Sequence, residues 1–278
     1  MSFLVLMLVL WVEKFSALRQ RVQRDGFFLG QLQRLQRQRK WADSPWAILL
    51  LIVVLPAVLL ALLLMILQPV AYGLLALPVH LWVVIYSLGR GDLQGSLGPF
   101  RDAWRREDSE GALLVARRDL ALDAQTPAEL LGQVQRHLLW QAFQSFFVVI
   151  FWYFLLGPVA ALVYRLLALV AEHSANPALA EQASQMRHAF DWLPVRILAA
   201  SFALVGNFVA VSRIMLNELL SWEISAATLI DRVGRVAADT GPAMAGPEGV
   251  ASLDHLWELL LRAAVLWYAA FALWTLLF

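Results

Sequence analysis

The chain has 278 residues, 60% of them hydrophobic and 15% charged, with a mean hydropathy of +0.65 and a formal net charge of +1. A soluble domain averages about 45–50% apolar and about 25% charged residues, so the composition excludes a disordered protein and argues against an ordinary soluble enzyme. Cysteine is absent, which excludes disulfides, thiolate zinc sites, iron–sulfur clusters and cysteine nucleophiles.

The apolar run Phe3 to Val12 is followed at once by Glu13 and Lys14. It lacks the basic start and small-residue cleavage site of a secretory signal, so residues 1–12 read as a retained anchor or the start of a long helix. Between 15 and 40, Phe15, Leu18, Val22, Phe28, Leu29, Leu32 and Leu35 recur at helical spacing among seven basic residues. Such a basic amphipathic helix suits the surface of an anionic leaflet or the protein's own cytoplasmic part. Ser44 and Pro45 start a helix as cap and first residue. Ala47 to Leu67 holds no charge over 21 positions, the length of a helix that crosses hydrocarbon. Gln68-Pro69 breaks it, and the uncharged stretch to Leu88 makes 47–88 a helical hairpin with both ends on one side. Fifteen of the 22 basic residues lie in 13–46 and 89–137, and the positive-inside rule places both segments in the cytoplasm.

Within 89–137, glycines 89, 91, 95 and 98 form an irregular connection, and Phe100 to Leu122 is predicted helical, with a solvated face over 101–110. Thr126-Pro127-Ala128-Glu129 has the form of a capping box with proline at the first helical position. The helix it opens meets no breaker before Gly157-Pro158. Its roughly 30 residues span about 45 Å, so it starts in the cytoplasm and enters the membrane after His137. The return segment 158–171 carries Arg165, which is costly at depth without a partner, a polar cavity or a headgroup. Asn176-Pro177 marks a helix start. Asp191-Trp192-Leu193-Pro194 begins the next membrane helix, to about Leu216, and Ser252 with Asp254 starts the last. Alternation of crossings puts 172–195 inside and the acid-rich 217–255 outside, while Glu218 to Val236 equally suits an amphipathic helix lying on the membrane. The reading is an all-α polytopic membrane protein: a single integral membrane domain over 1–278 with five or six spanning helices and a short N-terminal anchor, its remaining membrane helices lying in 138–278.

No motif for metal, nucleotide or covalent chemistry is present. The two lysines, Lys14 and Lys40, follow no glycine-rich turn, and histidines 80, 137, 173, 188 and 255 form no H-x-x-x-H pair; no cofactor or metal is expected. The polar residues in apolar surroundings are Glu13, Arg165, Asp191, Arg196, Asn207, Arg213 and Arg262. Arg213 and Arg262 read as snorkelling arginines. Arg165 and the Asp191–Arg196 stretch each lie beside a proline break and an aromatic, Tyr164 or Trp192. Arginines so placed suit bidentate capture of a phosphate or carboxylate, while Asp191 and Arg196 also suit a structural ion pair.

The N-terminal run ending in Glu13-Lys14, Tyr86-Ser87-Leu88-Gly89, Phe151-Trp152, Gly157-Pro158, Tyr164-Arg165 and Asp191-Trp192-Leu193-Pro194-Val195-Arg196 together resemble the AmpE family. The resemblance covers nearly the whole chain, and its most specific part is the D-W-x-P-V-R element. It implies a bacterial inner-membrane protein associated with the regulation of β-lactamase induction. AmpE is in turn similar to the CobD/CbiB membrane enzymes of the cobalamin pathway, sharing Phe151-Trp152, Gly157-Pro158, Tyr164-Arg165 and Pro194-x-Arg196. Those enzymes carry an acid-rich stretch before the F-W and paired aspartates before the P-x-R. Here Arg136 to Gln144 holds no carboxylate, and Arg187-His188 stands in place of the aspartates.

The resemblance therefore implies a non-catalytic regulator that senses or relays a cell-wall signal. Its ligand-binding candidates are Tyr164, Arg165, Asp191, Trp192 and Arg196, and the implied ligand is an anionic lipid headgroup, muropeptide or nucleotide. The bilayer is the expected surrounding, a homodimer is compatible, and nucleic acid is not an expected partner. The alternative is a divergent CobD/CbiB-type membrane enzyme using Glu13, Asp191 or other cytoplasmic carboxylates. A transporter fits less well, because no inverted repeat or pair of broken helices is visible.

Overall fold

The computed structural model describes residues 5, 7, 25–37, 44–69, 74–88, 93–241 and 246–277. Glu13, the stretch 15–24 and all but two positions of the expected anchor lie outside the described residues. Among those described, every regular element is helical. In chain order they are α1 (Gly26–Arg37), α2 (Pro45–Leu67), α3 (Ala76–Ser87), α4 (Gly98–Arg105), α5 (Ser109–Val115, prolonged by a widened turn to Leu120) and α6 (Pro127–Leu156). There follow α7 (Pro158–His173), α8 (Pro177–Val205), α9 (Phe208–Glu218), α10 (Ala226–Ala237) and α11 (Pro247–Leu277). Four of these, α2, α6, α8 and α11, are long and apolar enough to cross a membrane, and α3 is a shorter apolar helix. The protein is an all-α polytopic membrane protein. Two compact units make it up, one of Met1–Arg90 with Val148–Asp191, the other of Gly91–Phe147 with Trp192–Phe278.

In the first unit, α1, α2, α3, α7 and the start of α8 share a core that includes Phe28, Leu32, Ile48, Ile52, Leu60, Val83, Leu167 and Leu179. Of the two settings open to the basic amphipathic segment, its described part, α1, packs Phe28 and Leu32 against its own protein. Gly157 turns the chain at φ +82°, a value that favours glycine, and Pro158 opens α7. His80 Nδ1 on α3 lies 3.0 Å from the Tyr153 hydroxyl on α6.

Several helix ends match their sequence signals. Thr126 Oγ1 accepts from the Glu129 N–H (3.2 Å) while Glu129 Oε2 accepts from the Gln125 N–H (3.0 Å), closing a capping box shifted by one residue. Asn176 Oδ1 caps α8 by accepting from the Ala178 N–H at 3.0 Å. Three expectations are corrected. The predicted helix over 100–122 is interrupted at 106–108, where Glu107 takes φ +59° and Asp108 caps α5 by accepting from the Gly111 N–H. The last helix starts at Pro247, five residues before Ser252, because proline fits the first turn and Ser252 turns its hydroxyl back to the Gly249 carbonyl (2.7 Å). No helix starts at Asp191: α8 runs unbroken past Pro194.

An interior proline removes one helical hydrogen bond and strands the carbonyl four residues earlier. For Pro194 that carbonyl belongs to Phe190, and the Trp152 indole N–H donates to it at 3.1 Å. The helix survives because a side chain replaces the missing backbone donor.

The second unit revises the topology. Arg136 on α6 meets Asp231 on α10 at 3.3 Å, and Arg235 donates to the Gly132 carbonyl at 2.7 Å. Gln135 donates to Ser252 (2.8 Å), and Arg101 on α4 pairs with Asp254 on α11. Residues 231–237 and 246–254 thus lie on the same face as 98–137, not on the opposite one. Acidic residues carry little weight in setting orientation, so the acid count of 217–255 is a poor guide.

Trp152→Phe keeps the ring contact with Phe190 but removes the donor, and is expected to cost about 1 kcal/mol of stability. In a Pro194→Ala background, where the new residue supplies its own backbone N–H, the cost should shrink toward zero. A double-mutant cycle on detergent-solubilised protein, read as thermal or denaturant midpoints, checks this.

Candidate functional site

In the first unit, α7 and α8 bring charged and polar side chains together in apolar surroundings. Tyr164 and Arg165 sit mid-way along α7, with Glu172 near its end; Arg187 and Asp191 lie one helical turn apart on α8. Arg165 Nη2 donates to Asp25 Oδ2 at 3.0 Å, with side-chain exposures of only 14% and 4%. Arg187 Nη1 donates to Glu172 Oε1 at 3.0 Å, and its Nε stands 3.7 Å from Asp191 Oδ2. The buried Tyr164 hydroxyl faces both the Asp191 carboxylate and the Arg187 guanidinium. Its ring lies 6.4 Å from that of Phe190, whose carbonyl Trp152 holds. Arg187 thus ties two carboxylates across α7 and α8, and Arg165 on α7 pairs with the residue preceding α1.

In the second unit, Trp192 and Arg196 form a different arrangement. Arg196 donates through Nε to the Leu219 carbonyl (2.5 Å), through Nη1 to the Trp192 carbonyl (2.8 Å) and through Nη2 to the Ser221 carbonyl. Its guanidinium carbon lies 4.1 Å from the centre of the Trp192 ring, a cation–π contact. The Trp222 ring follows at 6.2 Å from that of Trp192. The side chain thus closes the carboxyl end of α9, where the last carbonyls have no helical partner.

The five expected residues divide between the units. Tyr164 and Asp191 face each other, Arg165 is paired with Asp25, and Trp192 stacks on Arg196. Asn207 caps α9, accepting from the Ala210 N–H at 3.1 Å; Arg213 is exposed, and Arg262 donates to the Val205 carbonyl at 3.1 Å. Asp25, Glu172 and Arg187 join the cluster without being among the sequence candidates. Signals for two of them are present: Asp25 is the one acid among the basic residues of 15–40, and Arg187 and Asp191 have helical i,i+4 spacing. Among the described residues no group of three histidines or carboxylates could hold a metal ion. The arrangement offers charge relay and partner exchange.

Comparison with known proteins supplies a family. Residues 1–228 match the profile described as "Regulatory signalling modulator protein AmpE". "Protein AmpE" of Shigella flexneri is 28% identical over 159 residues, which cover 52% of this chain and 56% of that relative. The aligned stretch thus spans little more than half of the relative's length. No solved structure matches the chain.

Removing one partner of a buried ion pair leaves the other charged and desolvated, a cost of about 3–5 kcal/mol. Asp25→Ala and Arg165→Ala are each expected to lower the unfolding midpoint markedly. Replacing both residues by apolar ones of similar size, Asp25→Leu with Arg165→Met, should recover most of the loss, as measured by the same unfolding assay.

Proposed function

Because the chain belongs to the AmpE family, we propose that it is a regulatory protein of the bacterial inner membrane that acts in β-lactamase induction and responds to cell-wall recycling. Family membership carries this reading, and the interlocked charges of α7 and α8 supply a physical means of switching. An anionic lipid headgroup, muropeptide or nucleotide would reach Arg165 or Arg187 only in exchange for Asp25, Glu172 or Asp191. That exchange of partners is the proposed signalling event. Burial raises the energy of every half-broken pair, so such a cluster favours discrete arrangements over a continuum.

The proposed orientation keeps 13–46 and 89–137 in the cytoplasm, and residues 231–237 and 246–254 join them there because they pack on 98–137. The cytoplasmic face is then built from α4, α5, the second half of α10 and the first halves of α6 and α11. Their polar contacts, Arg101–Asp254, Arg136–Asp231 and Gln135–Ser252, are the sort a signalling partner can read.

In a bacterium with an inducible β-lactamase and a deletion of this gene, the wild-type chain is expected to restore the ratio of induced to basal activity. Arg187→Ala, present in the membrane at equal level, should leave the ratio as in the deletion. A ratio indifferent to the deletion itself overturns the reading. Orientation is checked separately, aided by the absence of cysteine: Glu110→Cys and Gly241→Cys should react with an impermeant maleimide only after spheroplasts are opened, and Leu156→Cys before.

A further inference from the structure

The segment 208–225 carries a feature that the ion-pair cluster does not use. Six large apolar side chains are exposed, Phe208, Val209, Leu216, Leu219, Leu220 and Trp222, with Leu216 and Leu220 each 82% exposed, alongside the polar Arg213, Asn217 and Glu223. Val209, Leu216 and Leu220 share one face of α9 and its continuation with Arg213. The remaining charges are Glu218, in an ion pair with Arg232 at 2.7 Å, and Glu223 at the turn into α10. Yet α9 has 11 residues, about 16 Å of helix, too short to cross hydrocarbon.

The depth of this segment follows from its partners in the second unit. Arg262 is the last charged residue of the chain and marks where the uncharged part of α11 begins. It donates to the carbonyl of Val205, so the end of α8 is level with that boundary. Antiparallel to α11, α8 then recedes into the apolar layer, as the bond from Trp267 to Ser201 (2.8 Å) confirms. Arg196, nine residues before Val205, is about 14 Å farther in. The carbonyls that Arg196 holds are those of Leu219 and Ser221, at the far end of α9. At its near end, the Asn207 N–H donates to the Ala237 carbonyl (3.2 Å), where a Cβ on Gly206 would stand 2.6 Å from the same oxygen.

We infer that α9 and its closing turn, residues 208–222, form a re-entrant element. It enters the leaflet on the α4 side of the membrane, turns within the acyl chains and returns through α10. Non-helical backbone survives at membrane depth only where protein satisfies its polar groups, and Arg196 does so for this turn. Arg213, about 7 Å in from Phe208, lies within reach of the phosphate layer for its guanidinium. The occupant of the apolar face is lipid.

Nitroxide side chains placed singly on the full-length, cysteine-free chain in proteoliposomes test this, through collision with oxygen and with a water-soluble nickel chelate. Leu62→Cys on α2 serves as the lipid-facing reference and Glu110→Cys as the aqueous one. Labels at Leu216→Cys and Leu220→Cys are expected to match the Leu62 reference, with high oxygen and low nickel collision. Nickel collision equal to the Glu110 reference would place the segment in water and overturn the inference. Suppressed collision with both reagents would show a protein partner or second copy on that face, and would overturn it equally.

Discussion

Hydrocarbon supplies no hydrogen-bond partner, so each backbone carbonyl that a helix leaves unpaired inside the membrane must find a donor within the protein. Two departures from regular helix depend on that rule here. Pro194 strands the carbonyl of Phe190, and the Trp152 indole takes it up. The end of α9 strands the carbonyls of Leu219 and Ser221, and Arg196 takes up both. In each case a long side chain with a fixed donor stands in for a missing backbone N–H, so the chain can bend or stop where a plain apolar helix could not.

Charge obeys the same logic. Arg165, Arg187 and Asp191 are embedded in apolar surroundings, and each has an oppositely charged neighbour. Such pairs add little net stability over apolar replacements, but losing one member is expensive. Their value lies in specificity and in having a small number of alternative pairings. A regulatory protein has use for both, and one of the arrangement's members, Asp25, comes from the segment just ahead of α1.

Local signals are legible in the sequence and long-range ones are not. The start of α6 is readable from Thr126 to Glu129, the start of α8 from Asn176-Pro177, and the turn between α6 and α7 from Gly157-Pro158, since each is decided by neighbours a few residues apart. Pro194 reads as a boundary because the donor that rescues it lies 38 residues away from Phe190 in sequence. The side of the membrane assigned to 217–255 fails for a related reason: crossing counts assume that every apolar stretch either spans or does not, while α9 is too short to span. Of the candidate site, Tyr164, Arg165 and Asp191 stand out as polar residues in apolar runs. Asp25 does not, because its partner lies 140 residues downstream.

That separation has a consequence for synthesis. At about 5–20 residues per second, Asp25 leaves the ribosome roughly 7–28 seconds before Arg165 does. During that interval α1 exists with its apolar stripe of Phe28 and Leu32 but without the α7 surface that later covers it. Of the helices that share its core, α2 and α3 are made within that interval, and α7 only at its end. The last of the surfaces that bury Asp25 and the stripe of α1 thus arrives with α7, well after the rest of their core.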